Sequence, residues 1–188
     1  MTGDDEKTIR RILKVNHAGE HGAIRIYKAQ LWVARRLYPD IVGFLDETLH
    51  HEIEHCALFY AKMPTRQTRP CRVMSLWAYG GYLLGFATSL FGRQGIWVCT
   101  AAVEETVHRH LLEQLDFLKD KDPDLAALIN SIKDEELHHL HHAEANIIAK
   151  TPFTRGAIRL ISNVTEILIW LSTWGDSTRM KAELAHRG

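Results

Sequence analysis

Residues 39–55, PDIVGFLDETLHHEIEH, and residues 123–139, PDLAALINSIKDEELHH, open on the same Pro-Asp-apolar turn and close on the same Glu-x-x-His, 84 positions apart. Proline suits the first position of a helix, where its missing N–H would have no partner. The same shift carries Glu20 onto Glu104, Glu52 onto Glu136 and His55 onto His139. In each half the proline follows a glutamate by 19 residues, and the Glu-x-x-His begins 13 residues after the proline. At about 1.5 Å per residue those 13 residues descend about 20 Å from the turn, and the ascending helix covers nearly the same distance. The single Glu and the Glu-x-x-His therefore meet at one level of a helical hairpin. Residues at i and i+3 share a helix face, so each hairpin offers two carboxylates and one imidazole to a common point.

The rest of the chain fits an all-α reading. Five prolines and a few glycines cut 188 residues into helix-sized pieces, and no period-two run of Val, Ile and Thr stands between turn signals. Expected helices run from about His17 to Arg36 after a short lead-in helix, then Pro39 to Met63, Met74 to Phe91, Ile96 to Lys119, Pro123 to Lys150 and Thr154 to Trp174, with a Gly92-Arg93-Gln94-Gly95 turn. One domain over residues 1–188 is expected, with hairpins at 17–63 and 96–150 and apolar helices at 73–91 and 154–174. A hydrophobic content of 46% excludes disorder, and 23 basic against 23 acidic residues leave no basic excess for nucleic acid. Cys56, Cys71 and Cys99 form no C-x-x-C pair and suit a reducing compartment, and the first dozen residues resemble neither a secretory signal nor a transit peptide.

Histidine is in excess. Eleven of the 12 fall in four groups, around His17, His50, His108 and His138. Glu-x-x-His occurs six times, but only Glu52/His55 and Glu136/His139 are reproduced whole by the 84-residue shift. Two hairpins packed as a four-helix bundle would bring together Glu20, Glu52, His55, Glu104, Glu136 and His139, the ligand set of the ferritin-like carboxylate bundles that hold two irons or two manganese ions. Two divalent cations would neutralise four carboxylates that are costly to bury alone, and ligation without thiolate suits iron or manganese rather than structural zinc. The plain alternative is that these acids and histidines line solvated faces. Asp134 and His50, five residues before each ligand histidine, are candidate partners for the outer ring nitrogens, and Asn16 for Glu20.

With these residues in view, the chain resembles the demethoxyubiquinone hydroxylase family of ubiquinone biosynthesis from about Arg11 to Trp174. Residues 16–23, Asn-His-Ala-Gly-Glu-His-Gly-Ala, are similar to the family's D-H-A-G-E-Y-G-A, and residues 99–105 and 134–139 are similar to its later motifs. The resemblance implies a ferritin-like fold, the same six residues as iron ligands, and an oxygen-dependent monooxygenase that hydroxylates the ring of a polyprenylated demethoxyubiquinol. It also implies two iron ions and an external electron donor, NADH directly or through a reductase. Glu105 and His110 are candidates for proton transfer. Three positions depart from the family: Leu111 stands where a tyrosine is usual, Asn16 where an aspartate is, and His21 where a tyrosine is.

From Val73 to Phe91, 19 residues carry no charge. Three glycines, two mid-segment tyrosines and flanking basic residues favour a helix facing a membrane surface over a spanning one, with a place in the core as the other alternative. The last expected helix adds Trp170 and Trp174 beside Arg155, Arg159 and Arg179. The expected partners are a polyprenyl quinone, molecular oxygen, a membrane surface and a homo-oligomer or biosynthetic complex, without nucleic acid. The expected place is peripheral, on the cytoplasmic face of a bacterial membrane or the matrix face of the mitochondrial inner membrane. A ferritin-like iron-oxidising or peroxide-scavenging protein is the alternative, since it would use the same six ligands.

Overall fold

Thr2 caps the first helix in a reciprocal capping box with Asp5, and α1 then runs unbroken through Gly3–Leu37. The computed structural model describes residues 2–185, with the backbone alone at Leu76 and Trp77, whose side chains lie outside the described residues. The short lead-in helix expected before His17 is part of α1. At the expected junction the helix is continuous, and Asn16 is tied to Gln114 by two hydrogen bonds of 2.8 Å. A single 3-10 turn at Pro39–Ile41 leads into α2 (Val42–Lys62). Then come α3 (Met74–Ser89), α4 (Gly92–Leu118), α5 (Pro123–Ala145), α6 (Pro152–Thr173) and α7 (Asp176–Ala185).

Three boundaries differ from the sequence reading. Gly92 to Gly95 form the first turn of α4 rather than a loop, and the chain reverses just before them at Leu90 and Phe91. α5 ends at Ala145 because Gln94 captures the chain beyond it, donating to the Asn146 carbonyl at 2.9 Å and accepting from the Ile148 N–H at 3.0 Å. α7 was not anticipated. It forms because Trp174 and Gly175 both adopt positive φ and turn the chain back, after which Asp176 pairs with Lys14 at 3.0 Å.

α1, α2, α4 and α5 make the bundle. α3 packs on α1, and α6 packs on α4. Shifting Met74–Ser89 by 84 lands on residues 158–173, inside α6, so the repeat extends to the third helix of each half. The uncharged α3 can approach α1 closely because Gly81 and Gly85, one turn apart, face its backbone. A Cβ at Gly85 would sit 2.3 Å from the Ile26 carbonyl oxygen and one at Gly81 2.8 Å from that of Gly22. The outward side of this layer is apolar: Tyr79 and Leu83 on α3 with Leu90 just past its end, and Phe153, Leu160 and Ile167 on α6 with Trp174 just past its end, these last four seven residues apart, are all exposed. Among the described residues no helix is long and apolar enough to cross a membrane.

The glycine contact has a measurable consequence. Gly85→Leu should lower stability by about 3 kcal/mol or more in chemical denaturation, because α1 and α3 must separate. Gly156→Ala, where an added Cβ meets nothing within 4 Å, should raise it by up to about 1 kcal/mol. Equal effects at the two glycines would remove the close α1–α3 approach from the explanation.

Candidate metal centre

Glu20 comes from α1, Glu52 and His55 from α2, Glu104 from α4, and Glu136 and His139 from α5. Each is at most 2% exposed. On all four helices these residues separate two apolar clusters, one containing Tyr27, Leu45, Trp97 and Ala143, the other Leu13, Phe59, Leu111 and Ile129. The six therefore form a polar layer walled off at both ends by hydrocarbon.

Their donor atoms form two overlapping groups. Glu20, Glu52, His55 and Glu136 each present one atom, all within 4.8 Å of one another, and so do Glu52, Glu104, Glu136 and His139. Glu52 and Glu136 belong to both. The 84-residue shift exchanges the two groups, so the sequence repeat reappears as an approximate twofold relation within the site. Glu20 Oε2, Glu52 Oε1, Glu136 Oε2 and His139 Nδ1 are buried and meet no hydrogen-bond partner. Such orphaned atoms cost about 1–3 kcal/mol each, and more when charged. Four carboxylates, two of them shared between the groups, and two imidazoles fit a pair of divalent transition-metal ions, which would satisfy these atoms and balance their charge.

The outer edge of the site corrects the sequence reading by one residue. His55 Nδ1 lies 3.0 Å from Glu136, and its Nε2 lies 3.1 Å from Glu135. His139 directs Nδ1 towards Glu136 at 3.7 Å and Glu52 at 4.0 Å, while its Nε2 lies 3.0 Å from His51 Nδ1. The expected partners, Asp134 and His50, are exposed, and Asp134 pairs with Lys133 at 3.2 Å. An inward-facing histidine turns its far nitrogen across to the opposite hairpin, so its partner is not on its own helix. Asn16 faces Gln114 instead of Glu20. His110 lies 2.9 Å from Glu166, which also receives Arg109 and Lys181, and this junction joins α4, α6 and α7. Glu105 is exposed, and neither it nor His110 belongs to the two groups. Tyr27, absent from the sequence reading, donates its hydroxyl to Glu104. Its position seven residues after Glu20 was the available signal, because Leu111 stands seven after Glu104.

Without metal, the cluster holds protons in place of cations. Burial, then the Glu136 charge, raises Glu20 to about 7, and the same two causes push Glu52 and Glu104 well above the usual carboxylate range. Burial alone would raise Glu136 too, but contacts with Glu104, His139 and His55 outweigh it and keep this carboxylate ionised. Burial likewise opposes the charge on His55, yet its hydrogen bond to Glu136 and the charge of Glu20 raise it to about 9. Burial and the neighbouring carboxylates keep the Tyr27 phenol protonated, as a donor must be.

Fold and site place the protein in the class of ferritin-like carboxylate bundles. Within that class the chain belongs to the family described as Ubiquinone biosynthesis protein COQ7, whose profile matches residues 7–172. It is 37% identical over 164 residues to the 3-demethoxyubiquinol 3-hydroxylase of Rhodospirillum rubrum, covering 87% of this chain and 77% of that one. It is 38% identical over 135 residues to the human mitochondrial NADPH-dependent 3-demethoxyubiquinone 3-hydroxylase, covering 70% of this chain and 61% of that one. The mitochondrial 5-demethoxyubiquinone hydroxylase of Saccharomyces cerevisiae is 28% identical over 179 residues, 85% of this chain and 75% of the yeast one.

The raised groups set a pH dependence for the metal-free protein. Glu20, at about 7 against 4.5, and His55, at about 9 against 6.5, hold more protons folded than unfolded. Their stabilisation is complete below the unfolded values and disappears as pH rises through the folded ones. His17, lowered to about 4 by burial and the neighbouring His21, acts oppositely, but only below pH 6.5. Between pH 6.5 and 9 the melting temperature of metal-free protein should therefore fall, by roughly 5 °C, and much less after loading with divalent metal. A flat metal-free profile across that range would contradict the protonated cluster.

Proposed function

We propose that the protein is an oxygen-dependent monooxygenase that hydroxylates the ring of a polyprenylated demethoxyubiquinol, using two irons held by Glu20, Glu52, His55, Glu104, Glu136 and His139. The observation that carries this reading is the pair of buried donor groups sharing Glu52 and Glu136. Membership of the COQ7 family and the activities for which the bacterial, human and yeast relatives are named support the reaction and the quinone substrate. Bound iron would supply oxygen activation and the redox steps. The chain's own residues do the remaining work. Glu52 and Glu136, common to both donor groups, would serve both positions, Glu20 with His55 would complete one, and Glu104 with His139 the other. Tyr27 fixes the Glu104 carboxylate, and the two apolar clusters exclude bulk water from the layer. Electrons would come from a nicotinamide nucleotide, directly or through a reductase; the human relative is named NADPH-dependent.

The exposed apolar residues of α3 and α6 support a second part of the reading, attachment to a membrane surface from which a polyprenyl substrate enters. Arg155 and Arg159 stand exposed beside the α6 stripe, where anionic headgroups would meet them. An iron-oxidising or peroxide-scavenging bundle would need the six ligands but has no use for this face.

Glu52→Ala and Glu136→Ala each remove a residue common to both positions. Each should abolish two-iron binding and lower demethoxyquinol hydroxylation by at least about 100-fold, more than the loss of an outer hydrogen-bond partner alone. Retention of both iron and activity in either variant would sink the proposal. Replacing Leu83 and Ile167 together by Asp should weaken co-sedimentation with anionic vesicles at least about tenfold, whereas unchanged sedimentation would remove the α3–α6 face as the attachment surface.

A further inference from the structure

The approximate twofold relation of the site holds for the six inward residues and fails at their supports. Position 51 corresponds to position 135 under the 84-residue shift, yet one is histidine and the other glutamate. Position 27 corresponds to position 111, and one is tyrosine while the other is leucine. Both differences fall on groups that touch the six. Glu135 accepts from His55 Nε2 at 3.1 Å, whereas the outer nitrogen of His139 meets the imidazole of His51 at 3.0 Å. Tyr27 donates to Glu104, whereas Leu111 is buried in the apolar cluster with no polar atom to offer Glu20.

Each difference acts in the same direction. A carboxylate behind a ligand histidine makes its inner nitrogen a stronger donor and fixes its orientation, and losing such an outer partner typically costs about 10–100-fold in metal affinity. With Nδ1 turned inward, the outer Nε2 of His139 lies against His51 Nδ1 at 3.0 Å, and a ring nitrogen is a weaker acceptor than a carboxylate. A phenol hydrogen bond draws electron density from Glu104 that Glu20, with an unpartnered Oε2, keeps for a cation.

We infer that the two metal positions are unequal, and that the one built on Glu20 and His55 takes metal first because Glu135 supports its histidine while His51 and Tyr27 weaken the other. Glu135 and His51 are positioning residues here. They act through the ligands and touch no reacting group. The inference rests on the two-metal reading above.

Crystals of the full chain loaded with one equivalent of Co2+ per protein test it, with anomalous scattering at the cobalt edge locating the ion. The Glu20–His55 position should hold at least about tenfold more cobalt than the Glu104–His139 position. Glu135→Gln, at a half-exposed residue, should even out the two occupancies, and Tyr27→Phe should independently shift cobalt towards the second position. Equal occupancy in the unaltered protein, or a partition that neither substitution moves, would overturn the inference while leaving the two-metal site standing. Failure to find cobalt at either position would instead overturn the two-metal reading. Because the readout is where the ion sits, a general loss of stability cannot imitate it.

Discussion

Four carboxylates sit in the middle of a hydrophobic bundle, and everything else in the molecule is arranged around making that tolerable. Glu20, Glu52, Glu104 and Glu136 are at most 1% exposed. Burying such charges unpaired is among the most costly things a fold can do. In the absence of metal, protons and the His55–Glu136 pair relieve the repulsion, leaving three carboxyls with a raised proton affinity. Two divalent ions would relieve it more completely, by displacing those protons. The bundle makes such a site by placing one polar layer between two apolar clusters, so that the helices are held together on both sides of it.

Much of the centre was legible from helix arithmetic alone. Glu52 with His55 and Glu136 with His139 are three residues apart on their own helices, and Glu20 and Glu104 are fixed by their distance from a turn; all of this is local to one hairpin. What lay outside that arithmetic depends on packing between hairpins. The partners of His55 and His139 are Glu135 and His51, one position beyond the expected Asp134 and His50, because the outer nitrogens reach the opposite helix. Asn16 meets Gln114 from 98 residues away, and Tyr27 meets Glu104 from 77. No periodicity within one segment encodes such pairs. Gly81 and Gly85 likewise read as weak points in a helix until α1 is placed against them.

The duplicated three-helix unit also explains how one chain carries two different surfaces. α1, α2, α4 and α5 turn their polar residues inward to the shared layer, while α3 and α6, related by the same shift, lie on α1 and α4 and leave apolar residues outside. The buried polar layer and the apolar surface are thus separated by the thickness of one helix. The symmetry is kept at the six inward residues and dropped at positions 27/111 and 51/135, where Tyr27, His51 and Glu135 meet them from outside.

The most direct measurement is an anomalous diffraction map at the iron edge from crystals of the fully loaded protein. Two iron peaks are expected, one within bonding distance of Glu20 and His55, the other of Glu104 and His139, with Glu52 and Glu136 reaching both. A single peak, or iron bound away from these six residues, would contradict the assignment of the buried layer as a two-metal centre.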